Sequence, residues 1–85
     1  MNPRVAKVEY SGNYQLLLTF DNNEVKVFNF TAYLDYPVYQ DLKDEAFCRV
    51  VKVVDGIVQW DDEIDFDPDI LYLESKPLEA FSEHA

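Results

Sequence analysis

Three successive strand-like segments, with alternation clearest in Tyr14 to Phe20, constrain this chain most. Tyr14 to Phe20 places Tyr14, Leu16, Leu18 and Phe20 on one face and Gln15, Leu17 and Thr19 on the other. A two-residue period belongs to a half-buried strand. Val5 to Tyr10 precedes it, with apolar Val5, Val8 and Tyr10 among charged Lys7 and Glu9. Glu24 to Phe30 follows, with Val25 and Val27 on one side and Lys26, Phe28 and Phe30 on the other. Ser11-Gly12-Asn13 and Asp21-Asn22-Asn23-Glu24 supply turn chemistry between the segments. Three strands joined by two short turns make an antiparallel meander.

The alternation ends near Thr31. Asp35-Tyr36-Pro37 can open a helix, because proline suits the first helical position, and Val38, Tyr39 and Leu42 give it an apolar side. Asp44 can cap a further short turn that sends Phe47 and Cys48 inward. Val50 to Val54 and Ile57 to Trp60 flank Asp55-Gly56, the pattern of a tight hairpin. Asp67-Pro68-Asp69 then starts a C-terminal helix, with Ile70, Leu71 and Leu73 expected inward and Tyr72 at the margin. Ser75-Lys76-Pro77 stops it. The fold class expected is α+β: a meander plus a second β hairpin, with short helices and a C-terminal helix packed on the sheet. One domain is expected over residues 1–78, followed by a frayed tail, 79–85, that Phe81 could anchor.

Charge narrows the function. Seventeen acids against seven bases give a formal net charge of −10. Such a surface repels nucleic-acid backbones and anionic membranes, and suits solubility or a basic protein partner. No apolar run approaches the ~20 residues of a membrane-spanning helix. Met1-Asn2-Pro3-Arg4 leads directly into alternation, so no secretory leader is expected. A lone cysteine, Cys48, has no internal disulfide partner, which fits a reducing cytoplasm.

Several segments recur together in one bacterial family. They are Met1-Asn2-Pro3-Arg4-Val5, Leu17-Leu18-Thr19-Phe20-Asp21-Asn22, Glu24-Val25-Lys26-Val27-Phe28, Asp55-Gly56-Ile57-Val58-Gln59-Trp60 and Asp65-Phe66-Asp67-Pro68-Asp69-Ile70-Leu71-Tyr72. In this order the chain resembles the family catalogued as domain of unknown function 2442, over roughly residues 1 to 78. It departs at Trp60-Asp61-Asp62-Glu63, where the family usually carries a Pro/Asn/Gly-type turn. The resemblance implies a compact α+β domain without an established activity. It also implies, for some members, a neighbouring gene for another small protein, similar to a toxin–antitoxin pair.

No catalytic or cofactor constellation emerges. Between Lys52 and Lys76 there are eight acids and no base. A calcium loop counted from Glu63 would use Asp65, Asp67 and Glu74, but Pro68 occupies the position that needs glycine, so no metal site is expected. Paired surface carboxylates lack the cleft that acid–base catalysis requires. Cys48 has no base near in sequence, and the only histidine, His84, lies in the tail. Two glycines leave no phosphate-binding loop.

What remains is an interaction site. Trp60, Asp61, Asp62, Glu63, Phe66 and Tyr72 are the candidates: aromatics among acids, fit to dock a basic protein. Trp60 and Tyr72 can equally be core residues that approach each other. Tyr10, Tyr14, Tyr33, Tyr36 and Tyr39 could extend such a patch or line a shallow ligand pocket. The expected function is a non-enzymatic protein-interaction module, one half of a two-gene pair, without a cofactor. The alternative is a small-ligand domain with an aromatic-lined pocket. A weak homodimer through a sheet edge or aromatic patch is also expected.

Overall fold

The alternating segments become β1 (Val5–Gly12), β2 (Gln15–Phe20) and β3 (Val25–Asn29) in the computed structural model, which describes residues 2–61 and 64–78. The strands pair antiparallel in the order β1-β2-β3. Leu16 lies between Tyr10 and Phe28, Leu18 between Val8 and Lys26, and Phe20 opposite Val5. Leu16, Leu18, Phe20 and Phe28 are buried, so one face of the meander forms a wall of the core.

The first turn differs from the sequence expectation. Gly12 stays in β1 at φ +92, beside a register shift between Tyr10 and Gly12, and the turn falls on Asn13 and Tyr14 at φ +54 and +59. Tyr14 therefore leaves the strand face it was expected to share with Leu16. A bulky side chain at positive φ costs on the order of 1–3 kcal/mol, and such a residue persists only when its surroundings hold it. Three hydrogen bonds do so. The Tyr14 amide donates to the Tyr10 hydroxyl at 3.1 Å, its hydroxyl donates to the Lys43 carbonyl at 3.1 Å, and its carbonyl accepts from the Phe30 amide at 2.9 Å.

Two 3-10 helices, Thr31–Asp35 and Pro37–Lys43, replace the single helix expected after Asp35. Pro37 does begin the second, but Asp35 closes the first. Three residues per turn eclipse Tyr39 and Leu42 on one side. Leu42 is buried and Tyr39 half-buried, while Val38, expected inward, is exposed. Helix α1 (Glu45–Cys48) is capped by Asp44, whose Oδ1 accepts from the Ala46 amide at 3.0 Å. Cys48 is buried and Phe47 half-buried.

The Asp55-Gly56 turn forms as expected, with φ +53 and +81, between β4 (Lys52–Val54) and β5 (Ile57–Gln59). A further strand, β6 (Asp65–Phe66), pairs with β5 and extends the hairpin to three strands. Asp67 caps helix α2 (Pro68–Glu74) by accepting from the Asp69 amide at 2.7 Å. Lys76–Pro77 then form β7, which pairs with β3 and makes the meander four-stranded. Buried residues of both sheets and the helical turns join in one cluster. The tail from residue 79, with Phe81 and His84, lies outside the described residues. No helix among the described residues is long and apolar enough to cross a membrane.

Candidate interaction surface

Trp60 and Phe66, expected among acids on a docking surface, belong to the core. Trp60 is 4% exposed and Phe66 2%. The Trp60 ring meets Phe30 and Phe66 edge-on, each at 5.8 Å, and its indole N–H donates to the Cys48 carbonyl at 3.0 Å. Phe66 stacks on Tyr39 at 4.8 Å and meets Phe28 at 5.3 Å. Burying these rings outweighs leaving them wet, since each removes on the order of 150–250 Å² from water. Tyr72 sits apart from Trp60's ring cluster. Its ring meets Phe20 edge-on at 5.0 Å, the Lys26 ammonium lies 3.8 Å above it, and its hydroxyl donates to Glu24 Oε1 at 2.6 Å. Asp61 Oδ1 accepts from the Ile64 amide at 2.9 Å and so shapes its own loop. Asp62 and Glu63 lie outside the described residues.

The calcium reading loses Asp67, whose carboxylate is committed to capping α2. Among the described residues no group of acidic, histidine or cysteine side chains is arranged to hold a metal ion. The Cys48 thiol is buried, donates to the Leu42 carbonyl at 3.1 Å, and has its pKa raised, chiefly by burial.

Three tyrosine–glutamate bonds tie distant segments together. Tyr10 donates to Glu45, Tyr33 to Glu74 and Tyr72 to Glu24, each at 2.6 Å. Tyr33 is pushed up to about 12, first by its bond to Glu74 and then by burial. Tyr10 is also pushed up to about 12, with burial the larger cause and the Glu45 bond the second. The Glu24 carboxyl is lowered by the Tyr72 and Asn22 bonds. A phenol held above its unfolded value, about 10, stabilises the fold below that pH and loses the contribution as pH rises through its folded value. The lowered Glu24 works oppositely: its contribution is present above the ordinary carboxyl range and is lost on acidification. Burial also raises Tyr39, and the bond to Glu24 raises Tyr72, so phenolate absorbance should show four tyrosines ionising late, Tyr10 and Tyr33 among them. Glu74→Gln should lower Tyr33 more than Glu45→Gln lowers Tyr10, because the glutamate bond is the larger cause at Tyr33 and burial the larger at Tyr10. An unmoved Tyr33 titration in Glu74→Gln would refute the pin.

Exposed apolar residues lie elsewhere: Tyr36, a patch candidate, and Val38, Ile70 and Leu73, which were expected inward, together with Val50, Val54 and Leu78. Tyr36 is 55% exposed, Val38 54%, Ile70 39% and Leu73 70%. Leu71 alone in α2 is buried, with Ser75 one turn on filling the same inward strip. A seven-residue helix cannot turn Ile70, Leu71 and Leu73 all inward, and that run of apolar residues was the signal available in the sequence. Tyr33 links the two exposed groups: its ring lies 5.9 Å from that of Tyr36, and its hydroxyl holds Glu74, which shares a side of α2 with Ile70. Tyr33, Tyr36 and Tyr39 pack ring against ring, tilted or edge-on, at 5.9 to 6.5 Å. The concavity beside β1, lined by Lys7, Val8, Leu17, Thr19, Lys52 and Val53 among others, contains no aromatic ring.

A family model described as "Protein of unknown function (DUF2442)" matches residues 5–77. Comparison with curated proteins and with solved structures gives no match.

Proposed function

Because the chain belongs to the DUF2442 family, whose description assigns no activity, we propose from its surface that it is a non-enzymatic protein-interaction module for a basic protein partner. One observation carries this reading: the described acids of the base-free stretch 53–75 lie outward on a capped frame. Asp65, Asp67, Asp69 and Glu74 are all exposed, while the aromatics between them are drawn inside or to the margin. Exposed carboxylates on a fixed scaffold accelerate encounter with a cationic surface and discriminate against anionic ones. The thiol that could serve a nucleophilic enzyme is buried. A two-gene arrangement of the kind the family resemblance implies would supply such a partner.

The test is co-expression with the product of the adjacent gene, followed by calorimetric titration at low and high salt. A saturable complex that weakens as salt rises is expected. Asp65→Asn with Asp69→Asn should weaken it several-fold at low salt, without a change in melting temperature. Binding indifferent to salt and to both substitutions would refute the electrostatic basis.

A further inference from the structure

We propose that the outer face of the meander seats a second copy of this chain, in a weak two-fold dimer. The inference goes beyond the basic-partner reading and does not rest on it. Strand register makes the face contiguous. Glu9 pairs with Leu17, Leu17 with Val27, and Val27 with Lys76, so one row crosses β1, β2, β3 and β7. Lys7, Thr19 and Val25 form the next row of the same face, two residues along each strand. The opposite face sends Leu16, Leu18, Phe20 and Phe28 into the core, whereas Leu17, Val25 and Val27 stand outside that buried cluster. Leu17, Thr19 and Val25 are half-buried, and Lys7, Glu9 and Lys76 are exposed.

Charge decides what covers this face. The first row runs from an acid through two aliphatic side chains to a base. Sheets packed face to face keep their strands within about 30° of alignment, which leaves two two-fold arrangements. One stacks Glu9 on Glu9 and Lys76 on Lys76. The other, with its axis along the strands, lays Glu9 on Lys76 at both ends and Leu17 and Val27 between them. Only the second is self-complementary. A partner of a single sign would meet its own charge at one end of the row. Lys52 joins Lys7 and Glu9 around the concavity at the β1 margin, and Glu74 joins Lys76 at the β7 margin. Bases therefore balance acids around this face, in a chain with a net charge of −10. Two copies can approach here without the repulsion that their overall charge imposes. The contact is small. Three strand spacings place Glu9 and Lys76 roughly 14 Å apart along the backbone row. The area buried falls under about 1,200 Å², the range of weak, transient association.

The test is sedimentation equilibrium of the full chain at high micromolar concentration, where a monomer–dimer equilibrium is expected. Glu9→Lys sets like charges against each other at both ends of the row. It should weaken the dimer about tenfold, equivalent to about 1.4 kcal/mol, although it makes the chain less negative overall. Lys76→Glu should weaken it as well. The double exchange, Glu9→Lys with Lys76→Glu, keeps the parent net charge and should recover most of the parent affinity. Both side chains are exposed, so melting temperatures should hold. If a reversed charge harms the sheet, Glu9→Gln serves instead and should also weaken the dimer. Amide NMR shifts that change on dilution should map to Leu17, Thr19 and Val27. A monomer at every concentration, a dimer strengthened by Glu9→Lys, or one indifferent to the exchanges would overturn the proposal. The basic-partner reading would stand in each case, because it rests on Asp65 and Asp69, which this face does not include.

Discussion

Trp60→Ala should leave the chain without a stable tertiary structure. Replacing a buried tryptophan or phenylalanine by alanine costs about 3–5 kcal/mol through lost burial and the cavity left behind. Here the substitution also strands the Cys48 carbonyl that accepts the indole N–H at 3.0 Å, a further penalty of about 1–3 kcal/mol. Domains of this size have only about 5–15 kcal/mol in total. The Trp60–Phe30 contact joins the chain after β5 to the meander side, so its loss leaves the Phe28–Phe66 contact to carry that joint. Near-ultraviolet circular dichroism and thermal melting should show the collapse. Trp60→Phe keeps a ring in place and should recover part of the stability, but not the hydrogen bond. A Trp60→Ala variant that melts like the parent chain would show that the ring is not a core element.

Gly56→Val should be strongly destabilising for a change in a turn. Gly56 holds φ +81 in the β4–β5 turn, a conformation that costs an ordinary L-residue about 1–2 kcal/mol and a β-branched one more. The added Cβ would also lie 2.7 Å from Arg4 Nε and 3.1 Å from Arg4 Cβ. The end of the arginine side chain can swing away, but its Cβ follows the backbone entering β1. Strain and crowding together should cost about 2–4 kcal/mol. For a chain of this length that lowers the melting temperature by on the order of 10 °C or more. Gly56→Asn, which tolerates positive φ, should lose distinctly less. Equal losses for valine and asparagine would place the cost in the Arg4 contact instead of the turn.

The meander and the Asp55-Gly56 hairpin were legible because each rests on local chemistry: a two-residue period, a turn dipeptide, a cap followed by proline. Asp44 and Asp67 cap the helices they precede for the same reason. The short strands β6 and β7 were not legible. Two residues carry no period, and both strands exist because neighbouring edges needed partners. The direction of side chains in short helical segments was equally hidden. Val38, Ile70 and Leu73 look like core residues by type, yet the segments carrying them have room for one inward strip only, and Leu42 and Leu71 take it. The same limit misplaced the candidate site. Trp60 and Phe66 stand among acids in sequence, yet both are buried, Trp60 just past β5 and Phe66 in β6, while Leu73 is left outside. Asp44 and Asp67 are the helix caps expected of them, and Asp61, Asp65 and Asp69 are exposed.

This exchange of inner and outer residues is the centre of the account, and the fluorescence of Trp60 tests it most directly because it is the only tryptophan in the chain. The measurement is its emission and its quenching by acrylamide, before and during titration with a basic partner. The free domain should show blue-shifted emission that acrylamide barely quenches, and saturation with a partner should leave both unchanged, since Trp60 lies in the core. Ready quenching in the free domain, or quenching that disappears as the partner binds, would put Trp60 in the interface and contradict the account.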